Sequence, residues 1–176
     1  MSTEPTGSGA QDLHAKAREV CLRLLTGQAR SRAQLATALR RHQIPDEVAE
    51  SVLDRLGEVG LVDDAAFANA WVSSRHAGRG LARRALAEEL RRRGVAADTV
   101  ERAVAEVDSD DEEAAARELV RRRLSGTRGR DTATRMRRLT GLLARRGYGA
   151  ALAYRIVRAE LEAEGAELDF PDPESD

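Results

Sequence analysis

The chain has 176 residues with 29 Lys or Arg against 30 Asp or Glu, a formal net charge of -1, four prolines, one cysteine and five aromatic residues. This composition, rich in Ala and Leu, favours helices throughout and an all-α fold. The lone Cys21 excludes an internal disulfide, and no run approaches the roughly 18 apolar residues of a membrane span or the form of a signal peptide; the expected setting is the reduced cytoplasm, with no membrane partner.

Residues 1–11, "MSTEPTGSGAQ", read as a disordered leader. A first three-helix unit is expected over 12–62. Leu13, Ala17, Val20 and Leu24 share one face of its first helix, and Cys21 serves there as a small buried hydrophobe. Ser31 and Gln34 fit a capping box that opens its second helix. That helix leads into "LRRHQIPDEVAESV" from Leu39, a segment repeated as "LRRRGVAADTVERAV" from Leu90 and "LARRGYGAALAYRIV" from Leu143, with anchors 51 and 53 residues apart. Each leucine is followed five positions later by an apolar residue: Ile44, Val95 or Tyr148. Apolar positions at helical spacing come next: Val48 and Val52, Val100 and Val104, Leu152 and Ile156. The step of five is that of a Schellman cap, in which a left-handed residue, here Gly94 or Gly147, follows the helix end and the flanking apolar pair closes over it. Gln43 stands where the first copy lacks glycine, which predicts a strained or differently shaped cap.

A second unit is expected over 63–107. In "LVDDAAFANAWVSSRHAGRG", residues 61–80, Asp63 is placed as an N-cap for the amide of Ala65 or Ala66, and Asp64 lies favourably on the helix dipole. Val62 and Phe67 fit a hydrophobic staple, and Phe67 and Trp71 share one face as core. A catalytic Asp63–Asp64 pair with a ring platform for bases is the competing reading, but no third polar group or metal ligand is spaced for it. Asp98 and Glu101 form an Asp-led capping box, and Ser109 and Glu112 open a third unit over 108–161. Units of about 50 residues bury too little surface to stand alone, so stacked neighbours support one another in an elongated array. Residues 162–176 read as an acidic disordered tail.

Charge is distributed unevenly. Setting aside Glu4 and the seven acids of 162–176 leaves residues 12–161 with 29 bases against 22 acids, a surplus of +7. A GC-rich coding sequence accounts for the preference for arginine over lysine but not for its clustering. Positions 117–146 hold eleven arginines, with Glu118 and Asp131 as the only acids. Such a block points to phosphates or an acidic protein surface. For Arg91–Arg93 a solvated helix face is an equal alternative, since Glu88 and Glu89 lie nearby. The tail either competes with DNA for the arginine block or serves solubility, the latter being expected.

Other chemistry lacks its pattern. His14, His42 and His76 are isolated, with no H-E-x-x-H or Cys/His pairing, so no metal is expected. Gly78 and Gly80 do not follow a strand, and "GTRGR" at 126–130 lacks the Gly-Lys-Ser/Thr of a P-loop. Neither a catalytic site nor a cofactor is expected.

The segment "GLVDDAAFANAWVSSRHAGRGLARRALAEELRRRGV" at 60–95, "LLARRGY" at 142–148 and the threefold unit together resemble the RecX family, over about residues 15–161. The resemblance implies three tandem three-helix repeats and a non-enzymatic role. It implies binding in the groove of RecA nucleoprotein filaments, with restraint of ATP hydrolysis, strand exchange and co-protease action in DNA repair, homologous recombination and the SOS response. Weaker contact with the DNA phosphate backbone is also implied. No family motif assigns contact residues individually. The candidates, chosen by charge, are Arg75, Arg79, Arg83, Arg84, Arg91, Arg92, Arg121, Arg122, Arg123, Arg137 and Arg138, presented by a monomer that gains avidity from several weak contacts. The alternative is a stand-alone helix-turn-helix DNA-binding regulator with recognition helices starting near Pro45, Asp98 and Gly149. The acidic faces of "PDEVAESVLDRL" and "DTVERAV" count against it.

Overall fold

The structure, a computed structural model, describes residues 6–166. Among them are nine α-helices: α1 (Thr6–Gly27), α2 (Arg32–Arg41), α3 (Asp46–Glu58), α4 (Asp64–Arg79), α5 (Arg83–Arg92), α6 (Ala97–Ala105), α7 (Ser109–Leu124), α8 (Thr132–Arg145) and α9 (Ala150–Ala163), with a 3-10 turn at Ser125–Thr127. No strand occurs among the described residues, as the composition requires. Residues 6–11, expected in the loose leader, are the first turns of α1, because from Thr6 onward no proline or cap interrupts the helix. The expected tail likewise begins in α9 and closes on Gly165, at φ 84°, with the Ala166 amide donating to Leu161 O at 3.0 Å. The remainder of both segments, 1–5 and 167–176, lies outside the described residues.

The helices divide between two compact units: residues up to Trp71 with Glu89–Ala103, and Val72–Glu88 with the chain from Val104. In the first unit, Ala17, Val20 and Cys21 of α1 meet Leu35 and Leu39 of α2 and Ala49, Val52, Leu53 and Leu56 of α3. Ile44 and Val62 close the ends of this core. Leu13 and Leu24 pack at its edge, completing the stripe expected of α1, and burial pushes the Cys21 thiol pKa up. In the second unit, Ala116 and Val120 of α7, Met136, Leu139 and Leu143 of α8, and Ala153, Ile156, Val157 and Leu161 of α9 form the equivalent core, with Tyr148 and Ala82 added.

The three Schellman turns share one geometry. The amides of Ile44, Val95 and Tyr148 return to the carbonyls of Leu39, Leu90 and Leu143 at 3.1, 3.2 and 3.1 Å. Gln43 adopts φ 59° in the same turn that Gly94 (77°) and Gly147 (90°) make, so its cap is strained but not reshaped. What separates the glycines from Gln43 is what they touch. A Cβ on Gly94 would overlap Ala33 Cβ of α2, and one on Gly147 would lie 2.6 Å from Ala85 Cβ of α5. Each glycine turn is seated on the middle helix of the preceding repeat, whereas Gln43 belongs to the first of the three repeats.

Two further bonds recur at these seats. Ser31 Oγ, just before α2, donates to Arg93 O at 2.5 Å; Ala82 N, just before α5, donates to Arg146 O at 2.9 Å. The first amide of α2, on Arg32, donates to Asp64 of α4 at 2.8 Å, and the first amide of α5, on Arg83, donates to Glu112 of α7 at 2.8 Å. A carboxylate from the next repeat thus caps the middle helix of the one before, at its positive end. Tyr148 secures the second seat by donating its buried hydroxyl to Gly80 O at 2.9 Å.

Some caps differ from the sequence expectation. Ser31 and Gln34 form the expected capping box, and Asp63 accepts from the Ala66 amide at 2.9 Å. α7, however, is capped by Asp108 through the Asp111 amide at 2.7 Å, not by Ser109, since the carboxylate one residue earlier takes the position and Glu112 is used across the repeat boundary. Asp98 lies inside the first turn of α6 and pairs with Arg102 at 2.9 Å. The aromatic pair of α4 is structural: Phe67 is buried and stacks on Trp71 with centroids 5.9 Å apart. The Arg93 guanidinium lies 3.6 Å from the Trp71 ring centroid, and the indole N–H donates to Glu89 at 2.8 Å.

Candidate polyanion-binding surface

The arginine block of 117–146 is partly neutralised by acids from outside it. Glu160 of α9 stands 17 residues after Leu143, in register with Leu56 and Val107 of the earlier repeats, and is similarly buried, at 7% exposure. In place of an apolar contact it accepts from Arg121 Nε at 2.8 Å and from Arg117 at 3.4 Å. Glu113 takes Arg117 at 2.6 Å and Arg155 at 3.0 Å. Glu164 takes Arg135 and, at 2.6 Å, Arg128. Arg135 is itself buried and donates to Thr127 Oγ1 at 3.0 Å. Hydrogen bonds from these arginines, Arg117 for Glu113 and Arg135 for Glu164, hold both carboxyl pKa values below the ordinary range. Arg122 pairs with Glu118 at 2.8 Å, and Arg83 with Glu112 at 3.1 Å.

Arg84, Arg123, Arg137, Arg138 and Arg145 form no ion pair among the described residues and are solvent-exposed. They line two grooves in the second unit, beside α8. One, of about 730 Å³, is lined by Arg84, Arg137 and Arg145 together with Ala85, Glu88, Gly141, Ala153 and Tyr154. The other, of about 650 Å³, has Arg123, Arg137, Arg138 and Arg145 around Thr127 and Leu142. Residues 137, 141 and 145 fall on one helical face at four-residue steps. Gly141 leaves that face bare, so Arg145 Nη1 comes within 3.4 Å of where a Cβ would stand. Guanidinium forks without carboxylate partners are available for bidentate contacts to phosphate or carboxylate, and grouping them in a groove concentrates anions there.

Arg84, Arg123, Arg137 and Arg138 are thus brought together by the fold. Arg83, Arg121 and Arg122 are exposed but committed to Glu112, Glu160 and Glu118. Arg75 is half-buried on α4, and Arg79 is exposed, its carbonyl accepting from Arg146. Arg91 and Arg92 belong to the first unit, where Arg92 lines a groove of about 410 Å³ with Arg30, Arg41 and Arg93 beside Gly94. Arg145 and Tyr154 are additions to the candidate list. The spacing of Arg137, Gly141 and Arg145 carried the signal for the first; nothing in the sequence separates Tyr154 from core. The outer face of α3 exposes Asp46, Glu47, Glu50 and Asp54, a charge sign unsuited to a DNA groove. Among the described residues no group of three His, Cys, Asp or Glu is placed to hold a metal ion, and no helix is long and apolar enough to cross a membrane.

Comparison with known proteins agrees with this architecture. Models of the first, second and third three-helix domains of RecX match residues 17–56, 63–104 and 110–157. The regulatory protein RecX of Thermobifida fusca (strain YX) is 68% identical over 97% of this chain and 92% of its own length. That of Streptomyces coelicolor (strain ATCC BAA-471 / A3(2) / M145) is 55% identical over 93% and 87%. A crystal structure of RecX from Lactobacillus salivarius shares the fold, with a TM-score of 0.78 at 16% identity, covering 87% of this chain and 99% of that one. With three consecutive domain matches and relatives of this identity along nearly the whole chain, this all-helical protein belongs to the RecX family of regulatory proteins.

Proposed function

We propose that this chain is a non-enzymatic modulator, mainly an inhibitor, of the RecA recombinase. It binds in the groove of RecA–DNA filaments as a monomer and restrains ATP hydrolysis, strand exchange and co-protease activity in DNA repair, homologous recombination and the SOS response of the cytoplasm. Family membership supports the choice of RecA, and the observation that carries the mode of contact is the pair of grooves rimmed by Arg84, Arg123, Arg137, Arg138 and Arg145, none with an ion pair among the described residues. Those guanidiniums take filament phosphates or acidic side chains while the other arginines hold the scaffold together. Several weak contacts along a polymer add by effective concentration, so no single strong site is needed. Occupation of the groove excludes an incoming duplex, and preference for one filament state slows turnover by shifting its population.

The test is the ATPase rate of a preassembled RecA filament with increasing amounts of the chain, at concentrations where naked DNA is barely bound. Inhibition is expected, weakened at least about tenfold by replacing Arg137 and Arg138 with alanine, at roughly 1.4 kcal/mol per factor of ten. Arg121→Ala is expected to matter less for inhibition, because that side chain is engaged by Glu160. No inhibition at saturating protein would overturn the proposal, and equal inhibition by the Arg137/Arg138 variant would remove this face from it.

A further inference from the structure

Four aromatic side chains lie among the described residues, and three of them are committed to the fold. Phe67 is buried against Trp71, the Trp71 ring carries the Arg93 guanidinium, and the buried Tyr148 donates to Gly80. Tyr154 differs. It is half-buried and packs against the core of the second unit, yet it makes no hydrogen bond, ring stacking or cation–π contact among the described residues. It also lines the groove of about 730 Å³ that holds Arg84, Arg137 and Arg145. An acidic peptide would be met by the arginines alone and gives such a ring nothing to do. A nucleotide has both halves, an anion for the guanidiniums and a flat π face for the tyrosine, and grooves that track single strands pair these two elements. Three further lining positions, Ala85, Gly141 and Ala153, carry at most a methyl group, which leaves room for a planar ring. Glu88, the acid among the lining residues, is outnumbered by the three arginines and offers an acceptor to the N–H edge of a base. The neighbouring groove of Arg123 and Arg138 shares Arg137 and Arg145 with this one, so a backbone held by the shared pair has further guanidiniums to follow.

We propose that Tyr154 is a stacking platform for an unpaired nucleobase, so that this groove takes a nucleotide of a single strand, its phosphates on Arg84, Arg137 and Arg145 and its base on the tyrosine ring. The stacking rests on the polyanion-binding role proposed above and adds to it a choice of strand. In a duplex each base is already stacked and paired, so a duplex engages the arginines and leaves the ring unused. The two contributions respond differently to salt. Phosphate contacts weaken steeply as counterion release loses its drive, whereas the advantage conferred by the base persists.

The experiment titrates the full-length chain, at one salt concentration, with an oligothymidine, an abasic deoxyribose-phosphate oligomer of the same length, and an oligoglutamate. Oligothymidine is expected to bind at least about fivefold more tightly than the abasic oligomer, the lower end of what one stacked base supplies. The Tyr154 ring protons should shift upfield with oligothymidine and not with the abasic oligomer. Tyr154→Leu, which keeps an apolar contact with the core, should bring oligothymidine down to the abasic level, while Tyr154→Phe should preserve the ratio. Should Tyr154→Leu lose its helicity, the ratio and the ring shifts in the native chain decide. Abasic and thymidine oligomers binding equally, or a ratio that survives Tyr154→Leu in the folded variant, overturns the stacking and leaves the polyanion-binding role standing. Oligoglutamate binding as tightly as oligothymidine assigns the groove to an acidic protein surface and likewise overturns the stacking. Binding of none of the three overturns the stacking and the polyanion-binding role together.

Discussion

A Cβ on Gly147 would lie 2.6 Å from the Cβ of Ala85 and 2.7 Å from its amide nitrogen, closer than real side-chain atoms approach. The two residues belong to successive repeats, and Gly94 and Ala33 stand in the same relationship one repeat earlier. Gly94→Ala and Gly147→Ala therefore suffer twice, from left-handed backbone strain and from overlap with the preceding repeat, and each is expected to cost about 2–4 kcal/mol. Gln43→Gly relieves strain with no overlap to consider and should gain up to about 1 kcal/mol. Urea denaturation of the three variants checks the order; a loss at Gln43→Gly, or negligible losses at both glycines, would contradict it.

Glu160 is a charged residue in an apolar register. Glu160→Ala leaves a cavity and strips Arg117 and Arg121 of a buried partner, at an expected cost of about 1–3 kcal/mol, discounted because both arginines keep access to water. Glu160→Leu restores the residue type of Leu56 and should be clearly less damaging. Both variants release Arg121 and should strengthen binding to a polyanion. Thermal unfolding and an oligonucleotide titration separate the two effects.

Tyr148 ties its repeat to Gly80 through a buried hydroxyl. Tyr148→Phe leaves the Gly80 carbonyl without that donor and should cost about 1–2 kcal/mol. Burial, with a smaller contribution from the charge of Glu112, pushes the phenol pKa from 10.0 up to about 12. The raised folded value means that its contribution is complete below pH 10 and is lost as pH rises toward 12. The alkaline limb of a stability–pH profile should accordingly flatten in Tyr148→Phe; an identical limb would show that another group controls it.

At acid pH the relevant groups are Glu113 and Glu164, both held below their ordinary 4.5 chiefly by hydrogen bonds from Arg117 and Arg135 respectively. Asp131 is likewise held below 3.8, through the Thr134 amide it caps. For such depressed carboxyls the stabilisation is present above the unfolded values and disappears as pH falls through the folded ones. Stability of the second unit should be flat down to about pH 4.5 on this account and decline below it. Glu164→Gln should lower the plateau and reduce the acid slope, measured by urea midpoints between pH 7 and pH 3.

The repeats were legible because a Schellman turn leaves a five-residue signature, Leu39–Ile44, Leu90–Val95 and Leu143–Tyr148, that survives divergence of everything between. α1 was legible from the stripe Leu13, Ala17, Val20 and Leu24, and the Phe67–Trp71 pair from its helical spacing. What stayed hidden depends on the next repeat. Asp64 and Glu112 read locally as helix-start residues, yet each caps a middle helix of the preceding repeat. A count of charges within 117–146 likewise missed Glu113, Glu160 and Glu164, because ion pairs form across helices rather than within a window of sequence. Of the candidate arginines, spacing could not separate Arg137 and Arg138, at a groove, from Arg121, committed to Glu160.

Ala33 lies six residues before Leu39 and Ala85 five before Leu90, and the matching places before Leu143 are Arg137 and Arg138. The methyl on which a following glycine turn rests is therefore absent from the last copy, and long cationic stems occupy its place. A glycine turn seated on α8 as the others are on α2 and α5 would meet two arginine stems there instead of a methyl. Converting both to alanine is accordingly the natural starting point for lengthening this scaffold by engineering.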